Sequence, residues 1–332
     1  MVAVVTHVSA GVTARMYASQ DRGVWNAFVD RAKNGVFLFN RDYMEYHSDR
    51  FRDFSLLLAD GDRLAAVVPG NLEDDATFIS HGGLTFGGVV TDARMRAGGM
   101  LQIFAAMLRH LDGIGVRTIV YKAVPHIYHQ MPAEEDLYAL FRCGAVLTRR
   151  DIAATIDSSN AAPYTKGRKY CVKKGRAAGT NVGRSDEFDA FMTIEETNLA
   201  ERHNVRPVHS AADLRLLASR FPENIRLYVV RNGSEIVAGS VMYVSRQVAH
   251  AQYIATTPRG RELCALDYLM DWLITEELAG ARYFDFGIST ERAGRLLNEG
   301  LAENKESYGA RGIAYDHYEL SVPEALTRLQ SE

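Results

Sequence analysis

The chain has 332 residues, 47% of them hydrophobic and 24% charged, with a formal net charge of −3. That length suits about two domains, and the balance is that of a globular protein with no apolar run long enough to span a bilayer. A mildly acidic chain is excluded as a whole-surface binder of nucleic acid, so any polyanion site must be a local patch. Cys143, Cys171 and Cys264 are odd in number and widely separated, which argues against a disulfide framework or a CxxC zinc site and for a reducing compartment. The opening "MVAVVTHVSAGV" lacks a basic n-region and its apolar run is interrupted at once, so a secretory signal is not expected and a cytoplasmic enzyme is the default.

Taken in chain order, the first clear element is "LLLADGDRLAAVVPG", in which Asp60-Gly61 separates two apolar runs and predicts a β-hairpin. A third strand is predicted at "ATFISHGG". After a loop rich in arginine and glycine, "MLQIFAAMLRHLDGIGVRTIVYKAV" predicts a long amphipathic helix and a buried strand. The same order then recurs. "LYVVRNGSEIVAGSV" carries Asn232-Gly233 as a second hairpin turn, at an offset of 232 − 60 = 172 residues. "VAHAQYIAT" follows as a strand, and "LCALDYLMDWLITEELAGARYFDFGIS" as helix and strand. Leu263, Leu266, Leu269, Met270, Leu273 and Ile274 recur at helical spacing, and Gly280 is expected to supply a left-handed stop. Gly115 and Gly280 differ by 280 − 115 = 165, and the drift between the two offsets falls in the loop before the helix, where insertions are tolerated. These elements imply an α/β chain of mixed sheets with helices on both faces, in two halves divided within the loop-rich "DSSNAAPYT". The expected domains are 1–160 and 161–332. Chance likeness of common hairpin and helix patterns is the alternative.

Meander strands, a loop opening a helix and a strand that then splays away form the order of the GNAT acyltransferase superfamily, which this chain resembles. "TTPRGRELCALDYLMDWLI" is similar to that family's pyrophosphate loop and following helix, with Arg259 and Gly260 at its Arg-Gly pair, although Glu262 and Cys264 replace later glycines. There, backbone N–H groups and the positive end of the helix dipole hold a phosphate. "KGRKYCVKKGRAAGTNVGRSDEFDAF", "YFDFGIST" and "NEGLAENKESYGARG" resemble the basic helix, Asp-Phe-Gly strand and lysine-plus-glycine segment of Fem-type peptidyltransferases, which are tandem GNAT folds. "YHSDRF", "SHGGLTFGG", "RPVHSAADLRLLASRFPENI" and "GARGIAYDHYEL" are similar to GNAT-type proteins of sugar and surface-glycan pathways. The resemblance implies two tandem GNAT-like domains, the first recognising the acceptor, the second binding the acyl donor and carrying catalysis, with the acceptor held in a cleft between the halves. It implies acetyl-CoA or another acyl-CoA as co-substrate at Ile254, Arg259, Gly260 and Ala265, an amine acceptor, and no metal.

Acyl transfer to an amine needs a neutral amine, a stabilised oxyanion and a protonated leaving group. No GxSxG nucleophile elbow occurs, in keeping with direct transfer. Lys305 is the candidate for oxyanion or phosphate stabilisation. On one continuous helix over 291–308 it shares a face with Glu291, Asn298 and Ala302; Leu297, Leu301 and Tyr308 form the buried face, and Glu299, Glu303 and Glu306 a third. The plain alternative is an exposed lysine loosely paired with an acid. Asp285, between Phe284 and Phe286, points away from them and needs a partner such as Lys305 or Arg311; a structural ion pair is the competing role. His209, just before a helix capped by Ser210, is a candidate general base or a second-layer residue. His250 and Tyr253 are expected on opposite faces of one strand, with Tyr253 the better donor-side group and sheet packing the alternative.

Lys166, Lys169, Lys173 and Arg176 form one basic stripe, either solvated or facing the phosphates of a nucleotide-sugar, CoA or a tRNA end. His126, His129, Glu134 and Glu135 cluster in a segment flanked by prolines and expected to be loop, which suits a metal poorly. Resemblance favours substrate contacts from Tyr121, Lys122 and His129 instead. "SHGGLTFGG", with His81 and four glycines, allows close backbone approach to a ligand, glycines serving turns alone being the alternative. The function expected is N-acylation of an amino sugar, nucleotide-sugar or similar small precursor from an acyl thioester. The alternatives are an aminoacyl-tRNA-dependent Fem-like transferase, with tRNA as partner, and a non-catalytic ligand-binding protein.

Overall fold

The computed structural model describes residues 11–203 and 207–330; the stretch 1–10 read for a signal, and residues 204–206 ahead of His209, lie outside them. The chain divides into two compact units, one of Met1–Arg150 with Tyr315–Glu332, the other of Asp151–Ala314. The division thus falls at Arg150/Asp151 rather than at 160, and the chain returns to the first unit at Tyr315, within the last strand (Arg311–Ser321), so that the final helix belongs there. Strand Val146–Asp157 carries the chain from one unit into the other.

In the first unit, Leu56–Asp60 and Arg63–Val68 form the hairpin expected at Asp60-Gly61, and Gly61 takes φ 60°, open to residues without a β-carbon. Strand Thr13–Met16 lies on one side of that hairpin and Val90–Thr91 on the other. Strand Thr118–Lys122 pairs parallel with Thr77–Ile79 and antiparallel with His317–Ser321. The helix Ala97–Gly113 buries Met100, Ile103, Phe104, Met107, Leu108 and Leu111, spaced to form one stripe, against Leu56, Leu58 and Phe78. It ends at Gly115, φ 91°, as expected of a left-handed stop.

After strand Val146–Asp157, the second unit continues with helix α1 (Lys166–Ala177), capped by the Thr165 hydroxyl. An antiparallel meander follows: β1 (Asn181–Ser185), β2 (Ile225–Asn232), β3 (Glu235–Val244) and β4 (Val248–Thr256), with helices α2 (Phe188–His203) and α3 (Ala211–Arg220) between β1 and β2. The Asn232-Gly233 hairpin forms, Gly233 at φ 62°. The predicted second helix is broken: α4 (Pro258–Leu263) and α5 (Ala265–Trp272) meet at Cys264, whose φ 53° is left-handed. Gly280 is not among the positive-φ residues; the helix instead winds out through a wider turn over Leu273–Glu277. Strand β5 (Tyr283–Ile288) and helix α6 (Glu299–Glu306) complete the layout. Phe191 of α2 lies against Gly239, while Ala238 joins α5, Phe284 and Phe286 in the core. Neighbouring residues of β3 thus meet helices on opposite faces, the mixed α/β arrangement read from the sequence.

Two irregularities shape the sheet. In β4 the pairing with β3 jumps from Val241↔Tyr253 to Met242↔Ala251, leaving Gln252 as an extra residue. His250 and Tyr253 therefore oppose Tyr243 and Val241, two residues apart on β3, and share a face. The expected opposition assumed an unbroken period of two, which the bulge cancels. Secondly, β4 and β5 pair in parallel only from Val248↔Tyr283 to His250↔Asp285, after which the strands part.

Candidate functional site

The parting of β4 from β5 opens the sheet, and a cavity of about 660 Å³ occupies the gap. Helices from both faces reach it: Glu195, Asn198 and Leu199 of α2, and Leu266, Asp267 and Met270 of α5. Ile254 and Thr256 of β4, Gly260 and Arg261 of α4, Phe286 of β5, Arg168 of α1, and Lys305 and Tyr308 complete most of the wall. Beyond His250, β4 has a strand partner only on its β3 side.

Lys305 lines the cavity, through a local geometry not foreseen. Residues 290–297 form a small hairpin, so the helix begins only at Glu299, with Asn298 as its cap. Leu297 and Leu301, expected in the core, are 46% and 42% exposed, whereas Ala302 and Lys305 are buried and Glu299, Glu303 and Glu306 face solvent. The ammonium donates to the carbonyls of Gly287 at 2.9 Å and Ile288 at 2.6 Å. Burial lowers it to about 8, against the opposing pull of the Asp285 carboxylate. An amine with this poise exists in both protonation states near neutral pH.

Asp285 is fully buried, and its charge acts on Lys305. Its Oδ1 accepts the Thr155 hydroxyl at 2.9 Å and the Gly287 N–H at 3.0 Å, and its Oδ2 lies 2.8 Å from His250 Nδ1. The Gly287 bond fixes a left-handed residue, φ 73°, and that kink turns two carbonyls toward Lys305. Asp285 thus shapes the end of the strand that holds Lys305.

His209 and Tyr253 form a pair on the α2 face, Nδ1 to hydroxyl 2.7 Å, and neither belongs to the cavity wall. Burial raises the Tyr253 phenol to about 12, with the Glu195 charge adding to it. Between this pair and the cavity stands Glu195, a buried carboxylate that sequence reasoning missed. The signal was present: Phe188, Phe191, Met192, Glu195 and Leu199 follow one helical stripe, so a lone acid falls in an apolar row. Arg168 was missed as well. It pairs with Asp267, donates to Ser307 Oγ at 2.9 Å, Tyr308 Oη at 2.9 Å and the Asn304 carbonyl at 3.2 Å, and stacks over the Tyr308 ring at 3.9 Å.

The Arg-Gly pair is organised differently from the expected phosphate cradle. Pro258 has no N–H, the Gly260 N–H is held by Thr257 Oγ1 at 3.0 Å, and that of Arg261 by the Thr257 carbonyl at 3.0 Å. Arg259 is exposed and paired with Glu262. A β-carbon on Gly260 would lie 2.1 Å from the Val237 carbonyl, so this glycine serves close packing on β3. Ala265 is buried in the core and Ile254 lines the cavity. Arg261 approaches the cavity from this turn.

Lys169 and Lys173 lie on exposed α1 and line a shallow cavity of about 510 Å³ with Tyr164 and Arg176; Arg176 is engaged by Asp271 and Glu276. In the first unit, Tyr121 is a core residue: its hydroxyl donates to Asp136 at 2.6 Å and accepts the Val89 N–H at 2.8 Å, leaving no open face for substrate. His129 is buried against the Val124 carbonyl at 3.1 Å, and burial lowers it to about 4. His81 is buried at φ 64°, stacked on His47, and burial with the neighbouring His47 and Lys122 charges lowers it to about 3. Lys122 donates to the His81 and Leu84 carbonyls and borders a cavity of about 420 Å³ with Arg50, Asn71 and His317. In the histidine cluster Glu135 pairs with Lys33 at 2.5 Å. Among the described residues, the ligand-type group that comes together is Cys171, Cys264 and Asp267.

Residues 165–293 match the family model of the acetyltransferase (GNAT) domain. No curated protein matches the chain. Among solved structures, FemX superposes with a TM-score of 0.67 at 10% identity, over 96% of this chain and 100% of that one. The C-terminal domain of a lysylphosphatidylglycerol synthetase from Agrobacterium fabrum gives 0.51 at 15% identity, over 80% and 84% of the two chains. A tandem GNAT protein of the clavulanic acid biosynthesis pathway gives 0.50 at 12% identity, over 94% and 98%. At such identities the likeness is one of fold, and the fold is that of tandem GNAT proteins.

Proposed function

We propose that this chain, a GNAT-superfamily acyltransferase of Fem-like tandem fold, transfers an acyl group from an acyl thioester to the amino group of a small precursor such as an amino sugar or nucleotide-sugar. The observation that carries the proposal is the cavity in the β4–β5 gap, where Glu195 and Lys305 meet one space. The wall holds three cations, Arg168, Arg261 and Lys305, and two acids, Glu195 and Asp267. Its charge of 3 − 2 = +1 suits an anionic donor. Glu195 is assigned the proton of the attacking amine. Lys305 is assigned the charge that develops on the carbonyl oxygen as the C–N bond forms and the C–S bond breaks. Asp285 is a positioning residue. Acceptor recognition is assigned to the first unit, whose own cavity holds Lys122, Arg50 and Asn71.

Thermal shift with acetyl-CoA, longer acyl-CoAs and nucleotide-sugars, followed by thiol release on adding candidate amines, tests this. Stabilisation by an acyl-CoA and amine-dependent thiol release are expected, and Glu195→Gln should lower kcat by about 10²-fold or more without loss of the thermal shift. A second reading is favoured by α1, where Lys166, Lys169 and Lys173 are exposed alongside Tyr170 at 67% exposure. Cations interleaved with an aromatic suit a nucleic-acid strand, and Fem-type enzymes take their acyl group from aminoacyl-tRNA. Transfer that is RNase-sensitive, with no stabilisation by any acyl-CoA, selects that donor. Ligand stabilisation with no transfer from either donor selects a non-catalytic binding protein.

A further inference from the structure

Cys171 and Cys264 are 264 − 171 = 93 positions apart, yet their sulfurs and an Asp267 carboxylate oxygen all lie within 4.8 Å of one another. The approach has a visible cause. Gly175, one turn after Cys171 on α1, has no room for a β-carbon: one would lie 2.4 Å from the Cys264 carbonyl and 2.8 Å from Tyr268 Cβ. The missing side chain lets α1 rest directly on the joint between α4 and α5. Cys264 is that joint, a non-glycine residue at φ 53°, ψ 36° that ends one helix and begins the next, a conformation maintained only when its surroundings impose it. All three elements reach the β4–β5 cavity, α1 through Arg168, α4 through Arg261 and α5 through Asp267.

Two chemistries suit paired thiols beside a carboxylate: a soft metal ion, or a disulfide. The surroundings decide between them. Asp267 is already engaged by Arg168, and Lys174 stands near Cys264, so the group is flanked by cations rather than left as a net anionic cage. We propose that Cys171 and Cys264 are a reversible disulfide site that staples α1 to the α4–α5 joint in the wall of the cavity. Cys171 is the more accessible thiol and reacts first. With a peroxide as oxidant, its thiolate attacks one oxygen, the O–O bond breaks, and a sulfenic acid and water result. The Cys264 sulfur then displaces the sulfenic hydroxyl as water, forming the S–S bond. The balance is two thiols and one hydrogen peroxide to one disulfide and two waters; a dithiol returns both thiols by exchange. In a reducing compartment such a bond is transient, which suits a switch rather than a structural brace.

The test uses the full chain treated with hydrogen peroxide and then dithiothreitol, independently of any transfer assay. The expected result is a mass lower by two hydrogens, a proteolytic peptide joining Cys171 to Cys264, and a Tm raised by about 3 °C or more, as closure of a long loop implies. All three should revert with dithiothreitol. Cys143→Ser should behave as the parent, and Cys171→Ser should lose the bond while keeping the reduced parent's Tm within about 2 °C. Oxidation of Cys171 to sulfinic acid without a joined peptide would overturn the proposal. So would a full thiol count after treatment. Stoichiometric zinc binding by the reduced protein, abolished in Cys171→Ser, would assign the group to a metal instead.

Discussion

Each unit buries one lysine on two main-chain carbonyls. Lys122 is held by His81 and Leu84, Lys305 by Gly287 and Ile288, and burial lowers both ammonium groups to about 8. The difference lies in what stands behind each. Lys305 has the Asp285 carboxylate as a counter-charge and faces a gap opened by two diverging strands. Lys122 has the Arg149 guanidinium nearby, which disfavours its charge further, and borders a shallower space. Under the proposed function, similar anchoring serves two ends: a cation kept available for the reaction, and one that a ligand's negative charge would help to complete.

The largest effect expected from breaking this comparison is on turnover. Lys305→Met should lower kcat by about 10²-fold, while Lys122→Met should act through KM, by about tenfold or less. Equal losses in kcat for the two variants would show that the lysines share one role. The pH profile sharpens the contrast. If Lys305 acts as a cation, kcat falls as pH rises through about 8, and this limb should vanish in Lys305→Met but persist in Lys122→Met.

Stability should treat the two alike. Between about pH 8 and 10.5 the unfolded lysine still holds its proton while the buried one has shed it. The unfolded state then binds more protons, so stability rises with pH across that window, by on the order of 3 kcal/mol for each lysine. Chemical unfolding at pH 7.5 and 10.5 should show this rise diminished in either Met variant. Smallest is the effect of Gly287→Ala. A β-carbon there lies 3.2 Å from His250 Cε1 on a backbone at φ 73°, so a loss of about 1–2 kcal/mol is expected, with the alkaline limb of kcat displaced as the carbonyls shift.

Much of this was legible in the chain itself. The paired hairpins at Asp60-Gly61 and Asn232-Gly233, the long amphipathic helix of the first unit and the need of Asp285 for a partner follow from turn chemistry and periodicity. The burial of Lys305 does not, because one continuous helix over 291–308 would put Leu297 and Leu301 in the core. What stayed hidden depends on breaks in periodicity. A bulge at Gln252 put His250 and Tyr253 on one face, and the left-handed Cys264 split a helix whose leucine spacing is otherwise regular. Neither residue type announces such a conformation. Arg259 and Gly260 match a motif in letters, but Pro258 offers no N–H and Thr257 takes up those of Gly260 and Arg261. Glu195 could have been found from its place in an apolar stripe. The closeness of Cys171 to Cys264 could not, because it depends on how α1 packs.

The Gly287 kink has one further consequence. The acceptors that hold Lys305 belong to the main chain, which every residue possesses, so no side-chain replacement at Ile288 can delete them. Nor does the lysine depend on a second rotamer to find its place, because its partners are fixed by the path of a strand. The position of the charge is thus inherited from the backbone and is preorganised before any substrate arrives. Drift in the neighbouring side chains can reshape what the cavity accepts while leaving this cation where it is.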